Sequence, residues 1–322
     1  MVTMQDPPAA EESVSSPVLL VDWGTTNRRV YLVEHGRVLR EHADTRGTLS
    51  IDRAGWETAI SEISRAFEDV EAQDVKAQDV KARFTLMAGM VGSNRGLAEA
   101  PYVPCPVGLD DLVKNVLWVR AGSVAIVPGV SFLDPPHADV MRGEEVQVLG
   151  AIEQGSLPSD CLVCHPGTHN KWIRIESGRI ASFRTVMTGE LFNLLRKHSI
   201  LSDLFDGEPA DDGAFAAGVD HAIANSDLIS ELFRVRARVL LGASARKEAA
   251  SYVSGLLIGS DVRIGLGAEE TDAATDVVYV LGSASLTQLY VAAISRTGRR
   301  AVGLDDKAAF VAGMSRIAER LR

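Results

Sequence analysis

Apolar residues in this chain come in short runs cut by glycine turns, and two stretches repeat one arrangement of them. The apolar run Val18 to Trp23 is followed by Gly24-Thr25-Thr26-Asn27, then Arg29 to Glu34, the turn His35-Gly36 and the returning run from Arg37. Cys161 to Cys164, Gly167-Thr168-His169-Asn170, Lys171 to Glu176, the turn Ser177-Gly178 and Arg179 to Val186 follow in the same order. Runs of this length bounded by glycine turns predict strands, so each copy reads strand, turn, strand, turn, strand. The interval between the two turn glycines, Gly24 to Gly36 and Gly167 to Gly178, differs by a single residue.

Between and after the two copies the spacing changes to that of helices. Trp56 to Val70 places Trp56, Ile60, Ile63 and Phe67 on one helical face. A tandem pair, Ala72 to Lys76 and Ala77 to Lys81, reads as an exposed helix end or loop without function. Phe84 to Ala88 predicts a strand entering the glycine-rich Gly89 to Gly96, and Val124 to Val127 another, ended by Pro128-Gly129. Arg142-Gly143 opens a helix carrying Glu144 and Glu145 into the second half. There Thr188 reads as the N-cap of a helix over Glu190 to Lys197. Helices are expected over Phe215 to Ala224, Leu228 to Leu240 and Lys247 to Ile258, the last with Gly259 just past its end. Val277 to Leu281 predicts a strand, Gly282-Ser283-Ala284-Ser285 a turn, and Leu286 to Ser295 and Asp306 to Leu321 the closing helices. Strands mixed with helices in two equivalent halves predict an α/β fold of duplicated domains, residues 17–155 and 156–322, with a cleft between them. Met1 to Ser16 reads as a loose tail.

Length and charge narrow the functional classes. At 322 residues the chain exceeds one ordinary core, in agreement with the duplication. A formal net charge of -10 argues against nucleic acid as partner, because phosphate backbones are bound through excess Lys and Arg. Three cysteines, an odd number, make no disulfide framework and fit a reducing cytoplasm. The first sixteen residues lack a basic lead and apolar core, so no secretory signal is expected, and no apolar run reaches the roughly 18 residues of a membrane span. A homodimer is admitted by the composition.

A hairpin tip of small hydroxyl residues with exposed backbone N–H groups suits an anion, and two such tips suit a polyanion held from both sides. ATP is the candidate. Asp22, at the end of the first strand, can hold Mg²⁺ through water while Gly24, Thr25, Thr26 and Asn27 meet phosphate oxygens; Asp before Gly is also a common turn former. Gly167, Thr168 and His169 form the opposing tip, which could equally be a plain tight turn were it not for the first copy. Cys161-Leu162-Val163-Cys164-His165 matches a haem-attachment pattern in letters, but it lies in an apolar strand without an export signal and reads as accidental. Glu144 and Glu145 could supply a base for an attacking hydroxyl or merely satisfy a helix N-terminus. Gly89, Met90, Gly92, Ser93 and Asn94 offer hydrogen bonds to a polyol or carboxylate, or serve as a connector. Arg28, Arg29 and Arg184 are guanidinium candidates for a carboxylate substrate. Gly282, Ser283 and Ser285 let an adenosine approach the backbone closely.

Taken together, the two tips and the Gly282 to Ser285 turn resemble the actin/hexokinase superfamily, whose domains are ribonuclease H-like. Five strings resemble the 2-dehydro-3-deoxygalactonokinase family: Val21 to Asn27 with Arg29, Met87 to Asn94, Val140 to Glu145 with Gln147, Pro166 to His169 with Lys171-Trp172, and Phe183 to Glu190. The resemblance implies phosphorylation by ATP and Mg²⁺ of the terminal hydroxyl of 2-keto-3-deoxygalactonate in galactonate breakdown. Gly143-Glu144 is similar to the Gly-Asp that supplies the base in glycerol and xylulose kinases, which makes Glu144 the first choice and Glu145 the reserve. The same resemblance puts the sugar acid beside Gly89 to Asn94 with its carboxylate against an arginine. A phosphohydrolase or a non-catalytic sugar sensor of the same fold are the competing readings.

Overall fold

In the computed structural model the described residues are 17–68, 82–135, 137–267 and 276–321. The tail expected at 1–16 and the tandem repeat at 72–81 lie outside them. In the first half, β1 (Val18–Trp23), β2 (Arg28–Glu34) and β3 (Arg37–Asp44) form the antiparallel meander, followed by helix α1 (Trp56–Glu68) and β4 (Thr85–Gly89). Then come β5 (Tyr102–Pro104), α2 (Leu109–Lys114), β6 (Leu117–Arg120), β7 (Val124–Ile126), β8 (Gly129–Asp134), β9 (His137–Met141) and α3 (Glu144–Glu153). The second half contributes β10 (Cys161–His165), β11 (Asn170–Glu176), β12 (Arg179–Val186), α4 (Thr188–His198), α5 (Gly213–Ala224), α6 (Leu228–Leu240) and α7 (Ala249–Gly267). It closes with β13 (Val277–Gly282), α8 (Ala284–Ser295), β14 (Arg300–Asp305) and α9 (Asp306–Arg320).

The two large sheets share one order: β3-β2-β1-β4-β7-β6 in the first half, β12-β11-β10-β13-β14 in the second. In each, the meander is antiparallel and the next strand runs parallel to its first, β4 beside β1 and β13 beside β10. The likeness reaches single dihedral angles. Both turns place a non-glycine and then a glycine at positive φ, His35 (49°) and Gly36 (75°) against Ser177 (49°) and Gly178 (73°). The pairing register slips at Leu32/Val33 in one copy and Arg174/Ile175 in the other. A two-residue turn with both φ positive matches the right-handed twist of its flanking strands, which is why the short hairpin recurs.

Strand alternation divides the core. Leu19, Val21 and Trp23 of β1 face α1 and pack on Trp56, Ile60, Ile63 and Phe67. Leu162 and Cys164 of β10 face the helices of the second half. The opposite faces, Val18 and Leu20 of β1 and Cys161 and Val163 of β10, meet in one cluster between the halves with Val146 and Leu149 of α3 and Phe310, Met314 and Ile317 of α9. Cys161 and Cys164 thus point to opposite faces of one strand as free thiols, and no ligand pair arises from them. Burial pushes the Cys161 thiol up to about 12.

Several elements depart from the pattern reading. The strand ending before Pro128 is followed at once by another: the chain leaves the six-stranded sheet and runs straight into the hairpin β8–β9, which joins β5 in a separate three-stranded sheet. Helix α7 continues through Gly259 to Gly267, because Gly259 packs directly on Val219 of α5 and so lies inside the helix rather than at its end. Thr188 is the first residue of α4, not its cap; its hydroxyl donates to Asp261 at 2.5 Å. β14 follows the turn at Gly298 with an open, half-exposed pattern that lacks the apolar run of the neighbouring β13.

Candidate active site

The first glycine turn is held by its carbonyls. The amides of Gly47, Thr48 and Leu49 donate to the carbonyls of Thr26, Gly24 and Thr25 at 3.1, 3.0 and 3.1 Å. A trans peptide sets its N–H opposite its C=O, so the N–H groups of Thr25, Thr26 and Asn27 face away from that segment, at an exposed tip. That is an anion cradle. In the second turn the Glu190 amide donates to the Thr168 carbonyl at 2.9 Å, which turns the His169 N–H outward in the same way. The imidazole of His169 is itself engaged by the Glu190 carboxylate.

Charged side chains from both halves meet beneath the tips. Asp22 ends β1, Glu144 begins α3, His165 ends β10, Lys171 is the second residue of β11 and Asp306 begins α9. Arg29 lies 3.2 Å from Asp22 and donates to Asp306 at 2.9 Å, so its guanidinium is shared by two carboxylates. Burial raises the pKa of Asp22; Arg29 pulls it back, and the charges of Asp306 and Glu144 push it further up. Lys171, whose side chain is only 5% exposed, sits 3.7 Å from Glu144. Glu144 remains 21% exposed and accepts from the Arg142 amide at 3.0 Å. Asp22 and Asp306 are linked through Arg29, and the charges of Asp306 and Glu144 are both felt at Asp22; a carboxylate of this kind is a hard oxygen donor of the type Mg²⁺ takes.

Adjacent Glu145 is different in kind. It is fully buried, and both carboxylate oxygens accept from the Gly143 amide, at 2.7 and 2.9 Å. Burial, with the charge of Glu144 second, pushes its pKa up to about 8. His165 is hydrogen-bonded to Gln147, and burial lowers its pKa, which favours the neutral ring. Sequence reasoning gave no role to His165, Gln147, Lys171 or Asp306. A signal for two of them existed: His165 stands two residues before its turn glycine, as Asp22 does, and Lys171 follows Asn170 as Arg28 follows Asn27. Arg28 itself goes elsewhere, to Asp44 at 2.5 Å and over the Trp23 ring.

The glycine-rich loop adjoins this cluster through backbone contact. Gly89 and Gly143 have φ of 91° and 115°, and a β-carbon at Gly143 would stand 3.3 Å from the Gly89 Cα. At Gly89 a β-carbon would come within 2.7 Å of the Trp23 carbonyl oxygen, so neither position admits a side chain without strain. Met90 opens a short helical turn whose carbonyl accepts from the Ser93 hydroxyl at 2.8 Å, and Gly92 is buried against Arg142. Ser93, Asn94 and Arg95 line a cavity of about 520 Å³ with Arg53 and Trp56. Arg184 is not brought to the cluster. It pairs with Trp172 in the register of β11 and β12, which puts it on the sheet face opposite Lys171, in a groove with Asp139 and His137.

The adenosine turn and the second tip border one cavity. It measures about 370 Å³ and is lined among others by Gly167, Thr168, Gly189, Ser285, Leu286 and Leu289. Gly282 and Ser283 adjoin it, Gly282 packing on Pro166. A grouping of His221, Asp227 and Glu231 elsewhere has ligand atoms close enough for a metal. Its Glu231 is already neutralised by Arg234 and Arg238 at 3.1 and 2.9 Å.

A family model described as 2-keto-3-deoxy-galactonokinase matches residues 22–317. The chain belongs to that family. Among its relatives, the probable 2-dehydro-3-deoxygalactonokinase of Rhizobium meliloti (strain 1021) is 34% identical over 94% of this chain and 96% of its own length. The 2-dehydro-3-deoxygalactonokinase of Escherichia coli (strain K12) is 31% identical over 93% and 97%. A crystal structure of a Sinorhizobium meliloti protein assigned to the same kinase superposes with a TM-score of 0.83 at 32% identity, covering 94% of this chain and 99% of that one. Component A of the Acidaminococcus fermentans (R)-2-hydroxyglutaryl-CoA dehydratase, 14% identical at a TM-score of 0.50, covers 94% and 100% and shares the fold alone. The α/β architecture of two like-ordered sheets agrees with the fold class expected from the sequence.

Proposed function

We propose that this chain transfers the γ-phosphoryl group of ATP to the terminal, 6-hydroxyl of 2-dehydro-3-deoxy-D-galactonate, in the cytoplasmic breakdown of galactonate. Family membership supplies the substrate, and the geometry supplies the roles. The single observation that carries the chemistry is the position of Glu144, partly exposed at the start of α3, 3.7 Å from Lys171 of the second hairpin and close enough for its charge to act on Asp22 of the first.

In this reading the halves 17–155 and 156–322 are two jaws. The outward N–H groups of Thr25, Thr26 and Asn27 meet the phosphates from one side, and Thr168 and His169 from the other. The nucleoside lies in the cavity by Ser285, where the wall is apolar at Leu286 and Leu289. Asp22 would hold Mg²⁺, which would supply charge neutralisation at the phosphates. The sugar acid enters beside Gly89 to Asn94. Arg53 and Arg95, which line the cavity with Ser93 and Asn94, replace Arg184 as the guanidinium candidates, while Arg29 holds Asp22 and Asp306 in place.

Glu144 takes the proton of the 6-hydroxyl as its oxygen bonds to the γ-phosphorus and the bond to ADP breaks. Lys171, 3.7 Å away, orients Glu144. Glu145 takes no part in proton transfer, because both its oxygens are turned onto the Gly143 amide. Replacing Glu144 by Gln tests the assignment: kcat is expected to fall by about 10² to 10⁴ with nucleotide binding retained. Unchanged turnover removes Glu144 from the mechanism.

A further inference from the structure

Helix α7 contains a carboxylate with no role in the chemistry above. Asp261 is 0% exposed, and among the described residues its bonding partners are neutral: it accepts from Trp172 Nε1 at 2.7 Å, Thr188 Oγ1 at 2.5 Å and Tyr290 OH at 2.6 Å. A buried carboxylate is costly unless several donors meet it, and here three do. Burial raises its pKa, and hydrogen bonds from Thr188, Tyr290 and Trp172, with a further one from Asn170 at the start of β11, lower it again.

The origin of the three donors is what gives the residue its meaning. Trp172 is the third residue of β11, which begins directly after the Gly167 to His169 tip. Thr188 is the first residue of α4, whose Gly189 touches the Gly167 carbonyl and whose Glu190 amide holds the Thr168 carbonyl. Tyr290 lies on α8, the helix that starts in the adenosine turn. Thr188 and Tyr290 also line the 370 Å³ cavity themselves. One carboxylate therefore ties together the three elements that wall the second phosphate tip and the nucleoside cavity.

We propose that Asp261 is the positioning residue of the nucleotide site, fixing the second phosphate hairpin, the start of α4 and the adenosine helix in one binding-competent arrangement. The inference rests on the nucleotide reading of that cavity. It makes ATP the ligand chiefly affected, since the loop Gly89 to Asn94 and Glu144 lie on other elements and only Lys171, next to Trp172 on β11, reaches Glu144.

The test compares wild type with Asp261→Asn, which keeps the size but removes acceptor capacity. Steady-state kinetics are measured in ATP and in the sugar acid separately, and binding of a non-hydrolysable ATP analogue by calorimetry. The expected result is a rise of about tenfold in KM for ATP and in the analogue Kd, with the sugar-acid KM within twofold. Equal ATP and analogue affinities in the two proteins overturn the proposal, as does a parallel rise in both KM values. Should the Asn variant not fold, Thr188→Val and Tyr290→Phe each remove a single donor. Each is expected to raise the ATP KM about threefold at an unchanged sugar-acid KM, and no change in either overturns the proposal. Failure of wild type to bind the analogue at all counts instead against the nucleotide reading, which keeps the two failures distinct.

Discussion

Two neighbouring glutamates at the head of α3 carry opposite assignments, and burial alone separates them. Successive residues of a helix are about 100° apart, so one of such a pair can face the cleft while the other faces the core. Glu144 is partly open beside Lys171, and Glu145 is sealed. Identical side chains at adjacent positions gave the sequence no means to choose, and Lys171 was visible there only as a basic residue after the tip. The difference has a pH signature. The folded pKa of Glu145, about 8, lies above its ordinary 4.5, so the folded state binds the proton more tightly. Stability is therefore greatest at low pH within that window, falls as pH rises from 4.5 toward 8 and levels off above. Thermal unfolding across this range is expected to show Tm declining by several degrees, and by less in Glu145→Gln; an equal decline in both proteins counts against a buried, protonated Glu145.

The elements that sequence made legible are those whose turns carry their own geometry. Both three-stranded meanders could be read because a glycine turn and a two-residue hairpin mark each copy, and the positive φ values at His35-Gly36 and Ser177-Gly178 explain why those residues stand there. The misread elements depend on tertiary contact. Gly259 ends a helix in isolation, yet against Val219 it is the small residue that lets α7 and α5 approach. Thr188 has the chemistry of a cap, but Asp261, distant in sequence, takes its hydroxyl. Arg184 sits beside a site motif in sequence and on the wrong face of the sheet in space. Gly143 is the element boundary on which the base depends. Its φ of 115° and its approach to Gly89 make Gly143→Ala costly by about 1–3 kcal/mol. Denaturant unfolding measures that loss, and kcat is expected to fall with it because the Glu144 carboxylate moves with the start of α3. Wild-type stability and turnover in the variant contradict this account of the turn.

At the scale of the whole molecule, the halves share a core while holding their phosphate tips apart. Val18, Leu20 and Val163 from the two central strands, with α3 and α9, form one buried cluster that joins the halves. Gly150 and Gly313 let those helices touch: a β-carbon at Gly313 would lie 2.2 Å from the Val146 carbonyl oxygen. Gly313→Val is expected to destabilise the protein by about 3 kcal/mol or more by driving the pair apart, as read by the shift in denaturation midpoint. The duplication was legible from the repeat alone, whereas the shared core was not, because each strand's second apolar face could have packed within its own half. The most direct test of the account is ADP release by the chain supplied with ATP and Mg²⁺, in the presence and absence of 2-dehydro-3-deoxygalactonate. A kinase gripping one triphosphate between two tips releases ADP only with the sugar acid, one ADP per 6-phosphorylated product; ADP at the same rate without the sugar, or none with it, contradicts that account.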